Sequence, residues 1–227
     1  MDPSLWGWAR STWATPAWND GGVPFGLVVP VKGLERAKSR LRGAADGGIG
    51  DPVRHAELAL AIALDTLDAA RAATLVERIV VVSDDPSVAA ALAGSGITVV
   101  RDEPAGGINA ALRHGAATLP PGRPVAALQA DLPALRPAEL DEALSADTRA
   151  FVADAAGTGT TLLLAPAGTD LDPRFGADSA AAHAASGAVP LPGALPGLRQ
   201  DVDTESDLLA ACALGVGTRT SGLLVCR

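Results

Sequence analysis

Residues 25–42 read FGLVVPVKGLERAKSRLR. The first six, FGLVVP, form an unbroken apolar run closed by a proline, the pattern of a buried strand. Downstream, DPVRHAELALAIALDTLDAAR (51–71) predicts a helix with Asp51 as N-cap and Pro52 at the first helical position. The alternation then repeats. RIVVVS (78–83), ITVV (97–100) and RPVAALQ (123–129) read as strands, separated by a short helix opening at Asp85-Pro86 and by INAALRHGAATL (108–119). ELDEALS (139–145) and residues 178–186 read as helices, and FVADA (151–155), TLLLA (161–165) and GLRQDV (197–202) as strands. Thr204 and Asp207 make a capping box for the helix ESDLLAACAL (205–214). Strands alternating with helices predict an α/β fold on a mostly parallel central sheet. The Pro/Gly-rich SGAVPLPGALPG (186–197) is expected to be a connecting loop.

The second half of the opening stretch carries Lys32, Arg36, Lys38, Arg40 and Arg42, in a chain of formal net charge −8. Two lysines stand against sixteen arginines in the whole sequence, and both lysines fall here. Lys is a compact point charge and Arg a planar fork, so the retention of Lys points to a site that wants an ammonium. A solvated helix face is the plainer reading, because several of these residues are spaced i,i+4. Like charges at that spacing repel, however, and only Glu35 sits among them, which favours an anion site.

At 227 residues the chain is long enough for one sizeable core. The acidic total argues against general nucleic-acid binding, which needs a broad basic surface. No apolar run approaches the ~18 residues of a membrane span. The start of the sequence lacks a secretory pattern, and Cys212 and Cys226 form neither a disulfide framework nor a zinc pattern, so a cytoplasmic location is expected. All four tryptophans (Trp6, Trp8, Trp13, Trp18) lie in residues 1–22, which read as an extension preceding a domain at 23–217, with 218–227 as a tail.

In open α/β sheets, ligands bind outside the carboxyl ends of the strands. Lys32 follows the first strand, Ser83, Asp84 and Asp85 the second, Arg101, Asp102 and Glu103 the third, and Asp131 the fourth. Asp201 and Asp203 alternate at the end of the last predicted strand and so share one side. One sheet edge is then both cationic and acidic, as a nucleoside triphosphate with its magnesium requires. In LQADLPAL (128–135), Asp131 is a candidate ligand for Mg²⁺, a hard cation that keeps phosphate oxygens in its shell; the plainer alternative is a turn Asp accepting a backbone N–H. GTGTT (157–161) and FGADS (175–179) are loops whose N–H groups and hydroxyls could hold a second anion, and Ser179 could equally be an N-cap. His183, four residues beyond Ser179, is expected to make a supporting hydrogen bond. Asp84 and Asp85 are read as turn formers or ribose contacts, and Asn109 in GGINAAL as a contact to the base edge or ribose. The sequence has no GxxxxGK[ST], no GxGxxG after the first strand and no GxSxG.

Taken in order, VPVKGLERAKSRL, SDD, GINAAL, ADLPAL, GTGTT, FGADSAAAH and DVDTESDL resemble the guanylyltransferases of deazaflavin coenzyme F-420 biosynthesis, which act on 2-phospho-L-lactate or phosphoenolpyruvate. The likeness spans roughly Phe25 to Gly217. It implies a single glycosyltransferase-A-like nucleotidyltransferase domain, often dimeric, joining GTP to a phosphorylated three-carbon acid and releasing pyrophosphate. Beside it, the residues themselves point to Lys32 and Lys38 as catalytic cations and to Lys32, Arg36, Lys38, Arg40, Ser83, Asp84 and Asn109 as nucleotide contacts. Carried over by motif, the resemblance implies Mg²⁺, or Mn²⁺ in its place, on Asp131 and Asp201, with Asp203 as a helper. Gly176 and Ser179 would bind the acceptor with Thr160 or Thr161, the latter preferred. Related nucleotidyltransferases for sugar phosphates and molybdopterin usually carry a Gly-rich loop where this chain has Pro30-Val31-Lys32, and remain the nearest alternative. A non-catalytic phosphate-ligand sensor is the alternative of another class.

Overall fold

Strand β1 (Phe25–Pro30) is buried at every position, as a strand with neighbours on both sides and cover on both faces must be. In the computed structural model, which describes residues 23–34, 41–44, 46–103 and 106–224, β2 (Val76–Val82) and β4 (Val125–Leu128) flank β1, both parallel to it. The short β3 (Thr98–Val100) lies outside β2. Beyond β4 the direction reverses. Strand β6 (Thr160–Ala165) runs antiparallel to β4 and to β5 (Ala150–Ala153), and β7 (Val189–Pro190) pairs parallel with β5. The order is β3-β2-β1-β4-β6-β5-β7, the mixed, mostly parallel sheet that the alternation of elements predicts. The Trp-rich residues 1–22, and Arg36, Lys38 and Arg40, lie outside the described residues.

Helices cover both faces because adjacent β1 side chains point opposite ways. Leu27 and Val29 pack against Ala59, Ala63 and Leu67 of α1 (Pro52–Ala72) and, on the same side, near α4 (Pro137–Leu144). Val28 faces the other layer, with Ala111 and Leu112 of α3 (Ile108–Ala117) and Ala180 of α5 (Ser179–Ala185). α1 begins as its sequence predicts, with the Asp51 side chain accepting from the Val53 N–H and Pro52 inside the first turn. α2 (Pro86–Ala91) repeats the device with Asp85 and Ser87. α3 lies unusually close to the sheet: a Cβ on Gly115 would stand 2.5 Å from Val28 Cγ1 and 2.7 Å from Val82 Cγ2.

Three expectations fail near the C-terminus. GLRQDV is no strand. Pro196 opens a short helix, α6 (Pro196–Arg199), after which residues 200–203 run irregularly; a proline lacks the N–H that a ladder needs but suits a helix start. The supposed connecting loop 186–197 contains β7. Residues 218–223 are not a tail but helix α8 (Thr218–Leu223), docked on α1. The buried Asp65 carboxylate accepts the N–H groups of Arg219 (3.1 Å) and Thr220 (2.8 Å), satisfying donors that a helix start leaves unpaired. α7 (Glu205–Leu214) starts with the predicted capping box of Thr204 and Asp207. Among the described residues no helix is long and apolar enough to cross a membrane.

Candidate active site

The chain leaves β1 for β2 on one side and later crosses back to place β4 on the other, so the carboxyl ends of β1 and β4 flank a switch point where open α/β sheets bind ligands. A cavity of about 250 Å³ occupies that place. Pro30, Val31 and Lys32 line it from β1, Gln129, Ala130 and Asp131 from β4, and Ile62 from α1. A second cavity, of about 320 Å³, adjoins it toward β2 and β3, lined by Lys32, Gly33, Asp84 and Asp102. Lys32 is exposed and belongs to both walls. It is therefore the cation shared between two compartments, one ending in Asp131 and the other in Asp84 and Asp102.

The backbone around these groups is fixed from outside. Asp85 accepts the Leu34 N–H at 2.9 Å while also capping α2, which ties the Lys32 loop to the end of β2. Partial burial opposes the charge of Asp85, but the N–H groups of Leu34 and Ser87 outweigh it and hold the carboxyl below its usual range. Thr66, on α1 and fully buried, straddles Asp131: its hydroxyl lies 3.2 Å from the Ala130 carbonyl and accepts the Leu132 N–H at 3.0 Å. The Asp131 carbonyl accepts the Val202 N–H at 3.0 Å, and Gly217 N–H donates to the Pro133 carbonyl at 2.9 Å. Since Val202 is buried between half-buried Asp201 and exposed Asp203, that single bond brings the later acidic pair beside Asp131.

Asp131, Asp201 and Asp203 do not form a ready three-carboxylate cage: among the described residues no three His, Cys, Asp or Glu side chains are grouped to hold a metal ion. The donor set fits a cation that takes one or two carboxylates and completes its shell with phosphate oxygens and water.

FGADS and the strand beside it are joined by a buried network. Thr160 and Ser179 hydroxyls lie 3.2 Å apart, and His183 Nδ1 is 2.9 Å from Thr160 Oγ1. His183 Nε2 accepts the Arg174 N–H at 2.9 Å, so its proton sits on Nδ1 and is donated to Thr160. Burial first, then the charges of Arg149 and Arg174, push the His183 pKa down to about 4, with Asp172 opposing. Thr161 turns its hydroxyl toward the Val152 carbonyl at 3.4 Å, while its own carbonyl accepts the Gln129 N–H beside Asp131. Thr160 thus meets Ser179 by its side chain, and Thr161 holds the cavity-lining Gln129 by its backbone. Gly176 is exposed on the loop, at φ 146°.

Other expected contacts are redirected. The Asn109 amide donates to the Phe175 carbonyl at 2.9 Å and accepts the Phe175 N–H at 2.8 Å, which ties it to the loop. The Ser83 hydroxyl is buried and accepts the Asp85 N–H at 3.2 Å, so it shapes the turn that presents Asp84. GTGTT does not offer its glycine loop to an outside anion: the Asp154 carboxylate already accepts the N–H groups of Thr158 (2.9 Å) and Gly159 (2.8 Å). Lys38, Arg36 and Arg40 lie outside the described residues. Asp85, like Asp84, reads from the sequence as a turn former or a ribose contact, and Asp102 as a group at the sheet edge; Thr66 is the residue here that sequence reasoning misses. Asp85 and Asp102 carried a signal in standing directly after strands, whereas Thr66 lies mid-helix and carried none.

A model of the MobA-like NTP transferase domain family matches residues 60–185, just over half of the chain. The chain is 55% identical over 200 residues to a phosphoenolpyruvate guanylyltransferase of Salinispora arenicola, covering 86% of this chain and 91% of that protein. It is 56% identical over 204 residues to a protein of the same name from Streptomyces coelicolor, covering 87% and 94%. Among solved structures, a nucleotidyl transferase from Methanothermobacter thermautotroptrophicus superposes with a TM-score of 0.58 at 20% identity, over 83% of this chain and 95% of that one. A Mycobacterium tuberculosis protein solved in complex with manganese superposes at 0.53 and 20% identity, over 83% and 97%. These two structural likenesses bear on the fold.

Proposed function

The chain belongs to the phosphoenolpyruvate guanylyltransferase family of MobA-like NTP transferases, and from that premise we propose that it transfers the guanylyl group of GTP to phosphoenolpyruvate in the cytoplasm, with 2-phospho-L-lactate the nearest alternative acceptor. The observation that carries the reading is Lys32 and Asp131 facing one cavity at the switch point of the sheet. The acceptor's phosphate monoester has a second pKa near ~6 and is already an anion at neutral pH. Its oxygen attacks the α-phosphorus of GTP, the bond to the β-phosphate's bridging oxygen breaks, and pyrophosphate leaves. No proton has to be removed from the nucleophile, so no general base is needed. The obstacle is repulsion between two anions.

Lys32 neutralises the triphosphate from the wall that the two cavities share. Asp131 and Asp201, with Asp203 beside them, would hold Mg²⁺ or Mn²⁺; bound there, the ion supplies positive charge to the phosphate oxygens. The base and ribose occupy the cavity that Asp84 and Asp102 line, where carboxylates accept from ribose hydroxyls and base N–H groups. The acceptor sits against Gly176 and Ser179. The product would enter coenzyme F-420 biosynthesis, a placement that rests on the motif resemblance.

Pyrophosphate release with GTP, measured in parallel against phosphoenolpyruvate, 2-phospho-L-lactate and 3-phosphoglycerate, tests the reading. Phosphoenolpyruvate is expected to give the highest kcat/KM, activity to vanish in excess EDTA, and Lys32→Ala and Asp131→Asn to lower turnover at least about a hundredfold while remaining folded. Release at wild-type rates in either folded variant would remove that residue from the mechanism.

A further inference from the structure

The segment 171–175 is pinned through its backbone by side chains from α3, from α5 and from Arg149, just before β5. Arg149 donates to the carbonyls of Leu171 (3.1 Å) and Asp172 (3.0 Å), and Arg113 reaches that of Pro173 at 3.4 Å. His183 accepts the Arg174 N–H, and Asn109 exchanges two bonds with Phe175. The segment and the turn after it carry strain: Asp172, within the segment, has φ 42° and Asp178, closing the turn, φ 54°, left-handed values that cost energy for residues with a side chain. Such a conformation persists only where its surroundings over-determine it.

Asn109 differs from the other struts in where it comes from. It stands in the first turn of α3, next to Ile108, which lines the cavity of Lys32 and Asp131, and two residues before Ala111, which lines the cavity of Asp84 and Asp102. Its amide is the same atom group that closes on Phe175, immediately before Gly176. We propose that Asn109 is a positioning residue for the acceptor: it locks the Gly176–Ser179 loop to the helix that walls both nucleotide compartments. The proposal rests on the acceptor-loop reading given above. Asn109 touches no reacting atom; it fixes the distance between the loop that holds the incoming phosphate and the cavity that holds the triphosphate.

The test uses Asn109→Ala and Asn109→Leu, the second keeping the volume of the amide without its bonds, with Ser179→Ala as a probe of the loop itself. Initial rates of pyrophosphate release are measured with GTP and phosphoenolpyruvate varied separately. Loss of both bonds to Phe175 is expected to raise the KM for phosphoenolpyruvate about tenfold or more, with the KM for GTP and kcat at saturation changed by less than about threefold. A lower kcat with both KM values unchanged would mean a smaller folded fraction and would overturn the proposal. So would an unchanged phosphoenolpyruvate KM in both Asn109 variants while Ser179→Ala raises it. If Ser179→Ala also leaves that KM unchanged, the acceptor loop has been misplaced and the inference falls with it. Should one Asn109 variant fail to fold, the other carries the measurement.

Discussion

Acidification should destabilise this protein well before its carboxylates titrate, and His183 is the reason. The imidazole is fully buried, with its two nitrogens committed to the Arg174 N–H and to Thr160. A proton added at Nε2 would face the Arg174 N–H it now accepts from, near Arg149 and Arg174, with Asp172 the opposing charge. The folded pKa is about 4 against 6.5 for the free side chain. The unfolded chain therefore binds this proton first as pH falls. Stability from this group is complete above pH 6.5, declines between 6.5 and about 4, and has been lost below that. Integrated over the window, the loss is about 3 kcal/mol, a large share of the ~5–15 kcal/mol typical of a domain. Urea unfolding followed by circular dichroism at pH 7.5, 6, 5 and 4.5 gives the free energies directly. His183→Gln keeps an acceptor and a donor but no titrating ring, so it should be less stable at pH 7.5 yet flatter across the series. Equal pH slopes in wild type and variant would refute the argument.

Two further substitutions probe the frame around the site. Gly115→Ala places a methyl 2.5 Å from Val28 Cγ1 and 2.7 Å from Val82 Cγ2; since valine cannot swing aside, it should cost about 1–3 kcal/mol in urea unfolding despite the better helix propensity of alanine. Asp65→Ala leaves the N–H groups of Arg219 and Thr220 without their carboxylate, which should cost about 1–3 kcal/mol and speed hydrogen exchange at those two amides before the rest of the fold.

Strands and caps were legible because each is a local decision. FGLVVP, Asp51-Pro52, Asp85-Pro86 and the Thr204/Asp207 box hold in the fold as their neighbours in sequence dictate. The strand tips were legible for the same reason, since a polar group directly after an apolar run has one edge of the sheet to go to. The bonds of Asn109 are not legible in the sequence because they depend on Phe175, 66 positions away, and no local pattern records that pairing. GTGTT misled in a similar way: a glycine loop resembles an anion cradle, but Asp154, a few residues upstream, supplies the anion. GLRQDV is no strand because Pro196, just ahead of it, starts a helix.

The remaining question is how the segments carrying Asp131 and Asp201, 70 positions apart in sequence, are held side by side without a shared sheet ladder. The expected last strand would have aligned them by pairing. The chain instead uses two isolated backbone bonds, Val202 N–H to the Asp131 carbonyl and Gly217 N–H to the Pro133 carbonyl, with Thr66 bracing the residues on either side of Asp131. A ladder distributes alignment over many bonds, whereas here it depends on a few. That makes the acidic half of the site responsive to changes in α1 and α8, which hold Thr66 and follow Gly217, even though neither helix supplies a phosphate-binding charge. Lys32 has the opposite support, a loop fixed at Leu34 by Asp85 and continuous with a strand buried at every position. The cationic wall is therefore built into the sheet, and the acidic wall is assembled against it by the C-terminal third of the chain.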